Sequence, residues 1–404
     1  MSSAPLRVSE VALLTPQLVT ANRQLRVLTL TPFYPSAEDG SQGGFIAEPL
    51  RRMETRDIDN HVVAVQPFYR RRVHGAESES GPASRWETYF SLPGNLGLPI
   101  AGAFLASHLL RSIREMHAVR TFDLIHAHGA LPCGHAARVI ARKLGIPFVV
   151  SVHGLDAFST NQSGRASQGW CRRVSESVYG SAEAVICISE KVRQQLGAEF
   201  SANARVIYNG VDAGMFCPGP ESNPLLTVLT VGNLIPIKGH TLLLRAFARV
   251  LDKFPDCSLE IFGDGLERGN LLRLAQALGI SNRVKFHGRQ SRETIAAAMQ
   301  RCAVFALPSS YEGLGCVYLE AMASGKPAIG CRGQGIEEII EHGNSGFLIS
   351  PGGETELTNC LNMLLQNPNL RARMGMNARS AILQRHTLEH QARQLTEIYL
   401  ECAR

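Results

Sequence analysis

Short apolar runs alternate with longer stretches of helical period along most of the chain. Leu25–Phe33, His61–Pro67, Phe122–His128, Pro147–Gly154, Ala182–Ser189 and Arg205–Val211 are rich in Val, Ile and Leu and mostly lack in–out alternation. That is the pattern of strands buried on both faces of a parallel sheet. Stretches of helical spacing such as Cys133–Leu144 separate them. The pattern then breaks over Asp212–Pro224, where Pro218, Pro220, Pro224, Gly214 and Gly219 gather into a linker. After it the alternation restarts, with strands expected at Leu225–Leu234, Ser258–Gly265, Arg283–Gly288, Ala303–Ser309, Pro327–Cys331 and Gly346–Ile349. His240–Phe254 and Thr294–Cys302 read as helices between them.

This is an α/β chain of two βα modules, each of about six strands. Right-handed crossovers make each module a doubly wound, Rossmann-like sheet with its ligand site at the carboxyl ends of the strands. The expected organisation is a poorly ordered leader at 1–24, a first module at 25–212, a linker at 213–224 and a second module at 225–385. Residues 386–404 hold a last helix, Thr387–Cys402, with no strand after it, which is expected to pack back on the first module.

Composition narrows the class. The length of 404 residues suits two domains. With 45 % hydrophobic and 19 % charged residues the chain is neither disordered nor fibrous. A formal charge of +6 is a mild bias that gives no indication of nucleic acid and suits anionic small molecules or an acidic membrane surface. The ten Cys form no CxxC pair, and Cys187 and Cys257 fall within apolar strands, so reduced, buried thiols and a cytoplasmic setting are expected. No secretory signal is legible, and the apolar run Gly97–Leu110 is too short to span a bilayer.

The richest chemistry lies in Ser309–Pro327, SSYEGLGCVYLEAMASGKP. A strand ends in a Ser-Ser-Tyr loop, and Glu312, Gly313 and Gly315 precede a helix from about Cys316. The free N–H groups of Gly315, Cys316 and Val317 at its start make an anion site. Glu312 before the helix and Glu320 within it place two carboxylates beside that site. A carboxylate there is costly unless it accepts from hydroxyl donors, and sugar hydroxyls are the obvious ones. In VGNLIPIKGH, Lys238 stands beside another helix start as a point charge for phosphate.

These segments resemble the Glu-x7-Glu region of retaining GT-B glycosyltransferases, family 4 (glycosyl transferases group 1) in particular. The resemblance runs from Leu25 to about Leu400, through HAHG (His126–Gly129), SVHG (Ser151–Gly154), YNGVD (Tyr208–Asp212), VGNLIPIKGH, FGDG (Phe262–Gly265) and FHGR (Phe286–Arg289). It implies a GT-B fold and transfer of a sugar from a nucleotide diphosphate sugar to a hydroxyl acceptor with retention. In it Glu312 contacts the donor sugar and Glu320 the ribose, His153 lies near the reacting sugar and the backbone near Arg289 lies against the base. Gly43 and Gly44, after the first strand, match a loop near the donor phosphate. Asn233 stands where the family usually has Arg, which leaves phosphate clamping to Lys238. Asp264 between two glycines suits a tight turn near the donor. His128 is expected to line the acceptor cleft. His126 and His128 lack a third ligand at zinc spacing, and no metal or other cofactor is expected.

The catalytic candidates are thus His153, Glu312 and Lys238. The partners implied are a nucleotide sugar and a hydroxyl acceptor, with a lipid-linked acceptor and peripheral contact with the inner membrane face left open by Arg70-Arg71-Arg72 and the apolar run after them. The resemblance points to bacterial polysaccharide or glycolipid synthesis. Two other readings remain at this point: a non-hydrolysing nucleotide-sugar epimerase and a non-catalytic two-lobed sugar-binding protein.

Overall fold

The computed structural model describes residues 24–36, 43–70, 82–93, 97–154, 165–200, 202–219 and 226–403. Residues 1–23 of the leader, the end of the linker, Arg71 and Arg72 lie outside the described residues.

Seven parallel strands form the first sheet: β1 (Leu25–Thr31), β2 (Ile58–Pro67), β3 (Ala83–Tyr89), β4 (Leu124–His128), β5 (Phe148–Val152), β6 (Ala184–Cys187) and β7 (Ala204–Val206). Their order is β3-β2-β1-β4-β5-β6-β7. Six parallel strands form the second: β8 (Thr227–Val231), β9 (Ser258–Phe262), β10 (Val284–Gly288), β11 (Val304–Ala306), β12 (Ala328–Cys331) and β13 (Gly346–Ile349), ordered β10-β9-β8-β11-β12-β13. Each expected strand exists, most of them shorter than the apolar run that announced it, because the run continues into the buried start of a loop.

The first sheet carries one more strand than expected. β3 reads ASRWETY, is largely solvent-facing and sits at the sheet edge beside β2, so it lacks the apolar run of a buried strand. The central strands β4, β5 and β8 are buried at every position.

Five helices frame the site and its surroundings: α1 (Gly44–Glu54), α2 (Leu98–Val119), α3 (Arg292–Arg301), α4 (Cys316–Ala323) and α5 (Leu388–Cys402). Leu105, Leu109 and Ile113 bury one face of α2, so the apolar run in it is mainly core. No described helix is long and apolar enough to cross a membrane. Ala392, Leu395, Ile398 and Tyr399 of α5 share a core cluster with Val27, Ile46, Leu50 and Met53 of the first module. The chain enters α5 through backbone bonds from Val211 N to His386 O and from Leu388 N to Val211 O, at 3.0 and 3.1 Å. None of the ten cysteines is in a disulfide.

Candidate functional site

In each sheet the strand order reverses beside the first strand, between β1 and β4 and between β8 and β11. A crevice at the carboxyl ends of the strands forms at such a reversal. Gly43–Gly44 follow β1 and His128 ends β4, while Lys238 follows β8 and Glu312 follows β11. Asn233, Asp264 and Arg289 follow β8, β9 and β10 on the same rim.

The loop between β11 and α4 is fixed from several sides. Gly315, the N-cap of α4, has φ 86°, and a Cβ there would stand 2.6 Å from the Tyr318 ring. Tyr318 is fully buried and donates its hydroxyl to the Leu307 carbonyl, joining the loop start to the first helical turn. The Glu312 N–H donates to the Gln334 side chain at 3.0 Å, and Gly335 N–H donates to the Glu312 carbonyl at 3.1 Å. Ser310 N–H donates to the Ile237 carbonyl at 2.8 Å, tying this loop to the 3-10 turn Pro236–Lys238. Lys238 Nζ, expected as a point charge for phosphate, is largely buried and lies 2.6 Å from Glu312 Oε2. One cation, the amide start of α4 and one carboxylate thus share a small volume.

The first module supplies a buried histidine group. His128 Nδ1 lies 3.0 Å from His153 Nε2, with the two rings stacked. His126 bonds to the Tyr399 hydroxyl through Nδ1 at 2.5 Å and to Ser151 Oγ through Nε2 at 2.7 Å. Burial lowers His126 to about 3 and His153 to about 4, and takes His128 well below its ordinary value. All three are neutral near pH 7. His128 is 5 % exposed, so it backs His153 and does not open onto the cleft as expected for an acceptor-side residue.

The modules meet where these groups face each other. A Cβ on Gly313 would lie 2.8 Å from the His153 carbonyl, so only a bare backbone permits this approach. Ser189 Oγ donates to the Gly313 carbonyl at 2.6 Å. The Glu338 carboxylate accepts from Glu190 N–H and Lys191 N–H at 2.8 Å each and from the Tyr208 hydroxyl at 2.9 Å. The cleft left open has a volume of about 160 Å³ and is lined by Phe45, His153, Asn209, Lys238, Glu312 and Cys316 among others. Asn209 Nδ2 donates to Cys316 Sγ at 3.4 Å, and burial pushes that thiol up to about 12, so it stays protonated.

The remaining candidates fall into two groups. Asn233 and Asp264 are exposed; Leu234, next to Asn233, donates its N–H to the Asp264 carbonyl at 3.0 Å, and the Asn233 carbonyl faces His240 Nε2 at 3.3 Å. Asp264 Oδ1 accepts from Gly265 N–H at 2.8 Å, the tight turn expected. Arg289 is exposed beyond β10. Gly43, with φ 75°, caps α1, and a Cβ on it would lie 2.5 Å from Tyr34 Cα.

Glu320 is buried, and its nearest charge is Arg292 Nη1 at 3.3 Å. Burial, only partly offset by Arg292, raises its carboxyl to about 7. The sequence reading missed Arg292, Glu48, Gln334 and Glu338. A signal for Arg292 was present: a cation on the first turn of a helix opposes the helix dipole and calls for an acidic partner. Among the described residues no group of three or more His, Cys, Asp or Glu is placed to hold a metal ion.

Comparison with known proteins bears on both modules. The profile described as Glycosyl transferases group 1 matches residues 220–381, and that described as Glycosyltransferase Family 4 matches residues 45–214. An uncharacterized glycosyltransferase of Methanocaldococcus jannaschii is 30 % identical over 257 residues, 64 % of this chain and 69 % of that protein. The alpha-D-kanosaminyltransferase of Streptomyces kanamyceticus is 28 % identical over 77 % of this chain and 85 % of its own length. HepE of Anabaena, solved in complex with UDP, superposes with a TM-score of 0.73 at 23 % identity, covering 93 % of this chain and all (100 %) of that one. The last is a likeness of fold, the two-module GT-B arrangement.

Proposed function

The chain belongs to the glycosyl transferases group 1, with a family 4 amino-terminal half, and from that premise we propose that it moves a sugar from a nucleoside diphosphate sugar to a hydroxyl acceptor with retention of configuration. The observation that carries this reading is the meeting of Lys238, Glu312 and the start of α4 with His153 across a single cleft.

In this reading the diphosphate lies on the amides of Gly315, Cys316 and Val317 and against Lys238. Arrival of the phosphate draws Lys238 from Glu312, and the released carboxylate accepts hydroxyls of the donor sugar. Lys238 is worth most as the diphosphate departs and its charge grows. One charge pair at 4 Å contributes about 4 kcal/mol at a partly shielded site. The acceptor hydroxyl attacks from the face the diphosphate leaves, and a departing phosphate oxygen takes its proton. His153, neutral and backed by His128, borders the sugar. Glu320 accepts the ribose hydroxyls. Gly43 and Gly44 bring backbone N–H groups toward the diphosphate, and Asp264, Arg289 and Asn233 form the rim at the base. Lys238 and the helix amides take the place of a metal.

A lipid-linked acceptor in polysaccharide or glycolipid synthesis fits the outer face of the first module. Phe68 and Phe90, at the carboxyl ends of β2 and β3, are 54 % and 51 % exposed and stack at 5.5 Å. Phe104 of α2 joins Phe90 at 5.1 Å, and exposed Arg70 lies beside them. Large exposed aromatics beside a cation suit an acceptor with an apolar tail and an anionic head.

The test is thermal unfolding in the presence of a panel of UDP and GDP sugars. A donor at one hundred times its Kd stabilises by about 2.7 kcal/mol and raises the midpoint. A panel that leaves the midpoint unmoved at millimolar concentration contradicts the donor site.

A further inference from the structure

Arg292 sits at the centre of an ion network that joins Glu320 to Glu48 and spans the two modules. Arg292 Nη1 lies 3.3 Å from Glu320 Oε1, and Arg292 Nε lies 3.1 Å from Glu48 Oε1. The three side chains are 20 %, 8 % and 16 % exposed for Arg292, Glu320 and Glu48. Arg292 begins α3 and Glu320 lies in α4, both in the second module, while Glu48 lies in α1 of the first. The guanidinium also stands 5.1 Å from the ring centre of Phe216, a fully buried residue of the linker segment. A Cβ on Gly44 would be 3.2 Å from Arg292 Nη1, so the first residue of α1 lies against this same guanidinium.

The chemistry is uneven: two buried carboxylates share one cation. Burial pushes both carboxyls up, and Arg292 is the main group opposing that in each. Arg292 lies at the start of α3, where the helix dipole disfavours it. Surface pairs at such places contribute little, but a guanidinium held between two desolvated carboxylates fixes their orientation. The place fixed is the one where a ribose is proposed to sit.

We infer that Glu48 and Arg292 are positioning residues of the donor site: Arg292 holds Glu320 in its ribose-accepting orientation, and Glu48 ties that assembly to α1, so that the first module closes over the nucleotide through this pair. The inference rests on the reading that Glu320 accepts ribose hydroxyls. Neither Glu48 nor Arg292 touches substrate in this arrangement.

The experiment is calorimetric titration of the full chain with UDP and GDP at pH 7 and 8.5. The variants are Glu320→Ala, Arg292→Met, Arg292→Lys and the double variant Arg292→Met with Glu320→Ala. Glu320→Ala and Arg292→Met are each expected to weaken binding about tenfold at pH 7, and Arg292→Lys to fall between Arg292→Met and the parent. The double variant binds no more weakly than Glu320→Ala alone, because Arg292 acts through Glu320. Arg292→Met regains affinity at pH 8.5, as the carboxylate that lost its cation ionises. Glu320 faces Arg292 from α3, Glu48 from α1 and Cys316 on its own helix, and Glu48 faces Arg51, Arg52 and Asp212, so Glu320 and Glu48 are the carboxyls that this pH step reads. For Glu48→Gln, small-angle scattering with UDP bound is expected to give a larger radius of gyration than the parent.

Parent-like binding by Arg292→Met while Glu320→Ala loses affinity overturns the inference and leaves the ribose site standing. So does a double variant whose loss is the product of the two single losses, or a Glu48→Gln radius equal to the parent's. Parent-like binding by Glu320→Ala removes the ribose site itself and the inference with it. Should Arg292→Met fail to fold, Arg292→Lys carries the test, and its binding UDP like the parent at both pH values counts against the inference.

Discussion

Lys238 Nζ lies 2.6 Å from Glu312 Oε2, and the two side chains are only 17 % and 12 % exposed. The pair joins the loop after β8 to the loop after β11, across the reversal of strand order where a ligand crevice forms. It holds in register the cation proposed to bind phosphate and the carboxylate proposed to bind the sugar. The two residues therefore have separable effects. Lys238→Met is expected to lower single-turnover transfer about a hundredfold, close to 2.7 kcal/mol, with saturating donor. Glu312→Gln keeps the size and loses the charge, so it is expected to slow transfer while leaving UDP affinity nearly unchanged, since bare UDP has no sugar to contact. Unchanged turnover in Lys238→Met would set its phosphate role aside.

Stability is expected to fall as the solution is acidified from pH 6.5 to 4. Burial lowers His126 to about 3 and His153, His240 and His386 to about 4, against an unfolded value near 6.5. A depressed folded value means stability that is complete above pH 6.5 and lost as protons bind the unfolded chain first, at up to about 1.4 kcal/mol per pH unit for each histidine. Glu320, raised to about 7, works the other way: its contribution is complete below its unfolded value and lost as pH rises through 7. Burial pushes Glu48 and Glu54 the same way as Glu320, and the four histidines, joined by His128, outweigh these glutamates. Urea midpoints measured at half-unit steps check the sign, and a midpoint that rises on acidification contradicts it.

How legible the molecule was in its sequence depends on burial. β4, β5 and β8 are buried on both faces and stand out as unbroken apolar runs. β3 escaped notice because ASRWETY is a polar edge strand whose only fully buried position is Tyr89. Glu312 and Lys238 were legible as types at fixed places on loops, but their pairing was not, because 74 residues separate them and only the sheet order brings them together. Glu48 stayed hidden among the apolar Ile46, Ala47, Pro49 and Leu50, whose helical face it shares with no local partner of opposite charge but Arg51 and Arg52. Its deeper partner comes from α3, 244 positions on by the numbering of Glu48 and Arg292. His128 read as a cleft residue because a strand end is open in sequence, whereas His153 from the neighbouring strand covers it.

Buried polar contacts anchor the last helix: Gln391 bonds to Gly210 N–H and Asn209, and Tyr399 to His126. Tyr399 is fully buried, and its hydroxyl meets His126 Nδ1 at 2.5 Å. Tyr399→Phe leaves a buried ring nitrogen without its partner, which costs about 1–3 kcal/mol. The thermal midpoint is expected to fall by several degrees while the affinity for UDP stays at the parent value. A midpoint equal to the parent's contradicts the anchoring role.

Activity is expected to survive EDTA. The leaving diphosphate is proposed to be held by Lys238 and the amides before α4, and no carboxylate is assigned to a metal. Turnover measured before and after chelation and gel filtration checks it. Complete loss, restored by Mn²⁺ or Mg²⁺, contradicts it.

The central claim is transfer from a nucleoside diphosphate sugar with retention. Proton NMR of the anomeric signals reads it directly, tracking α-linked UDP and GDP sugars during slow transfer to water or to an added alcohol. Retaining transfer predicts release of the nucleoside diphosphate together with a sugar that is first seen in the α configuration, before mutarotation. First appearance of the β sugar contradicts retention. Conversion into a second nucleotide sugar with no free nucleoside diphosphate, or binding without any turnover, contradicts transfer itself.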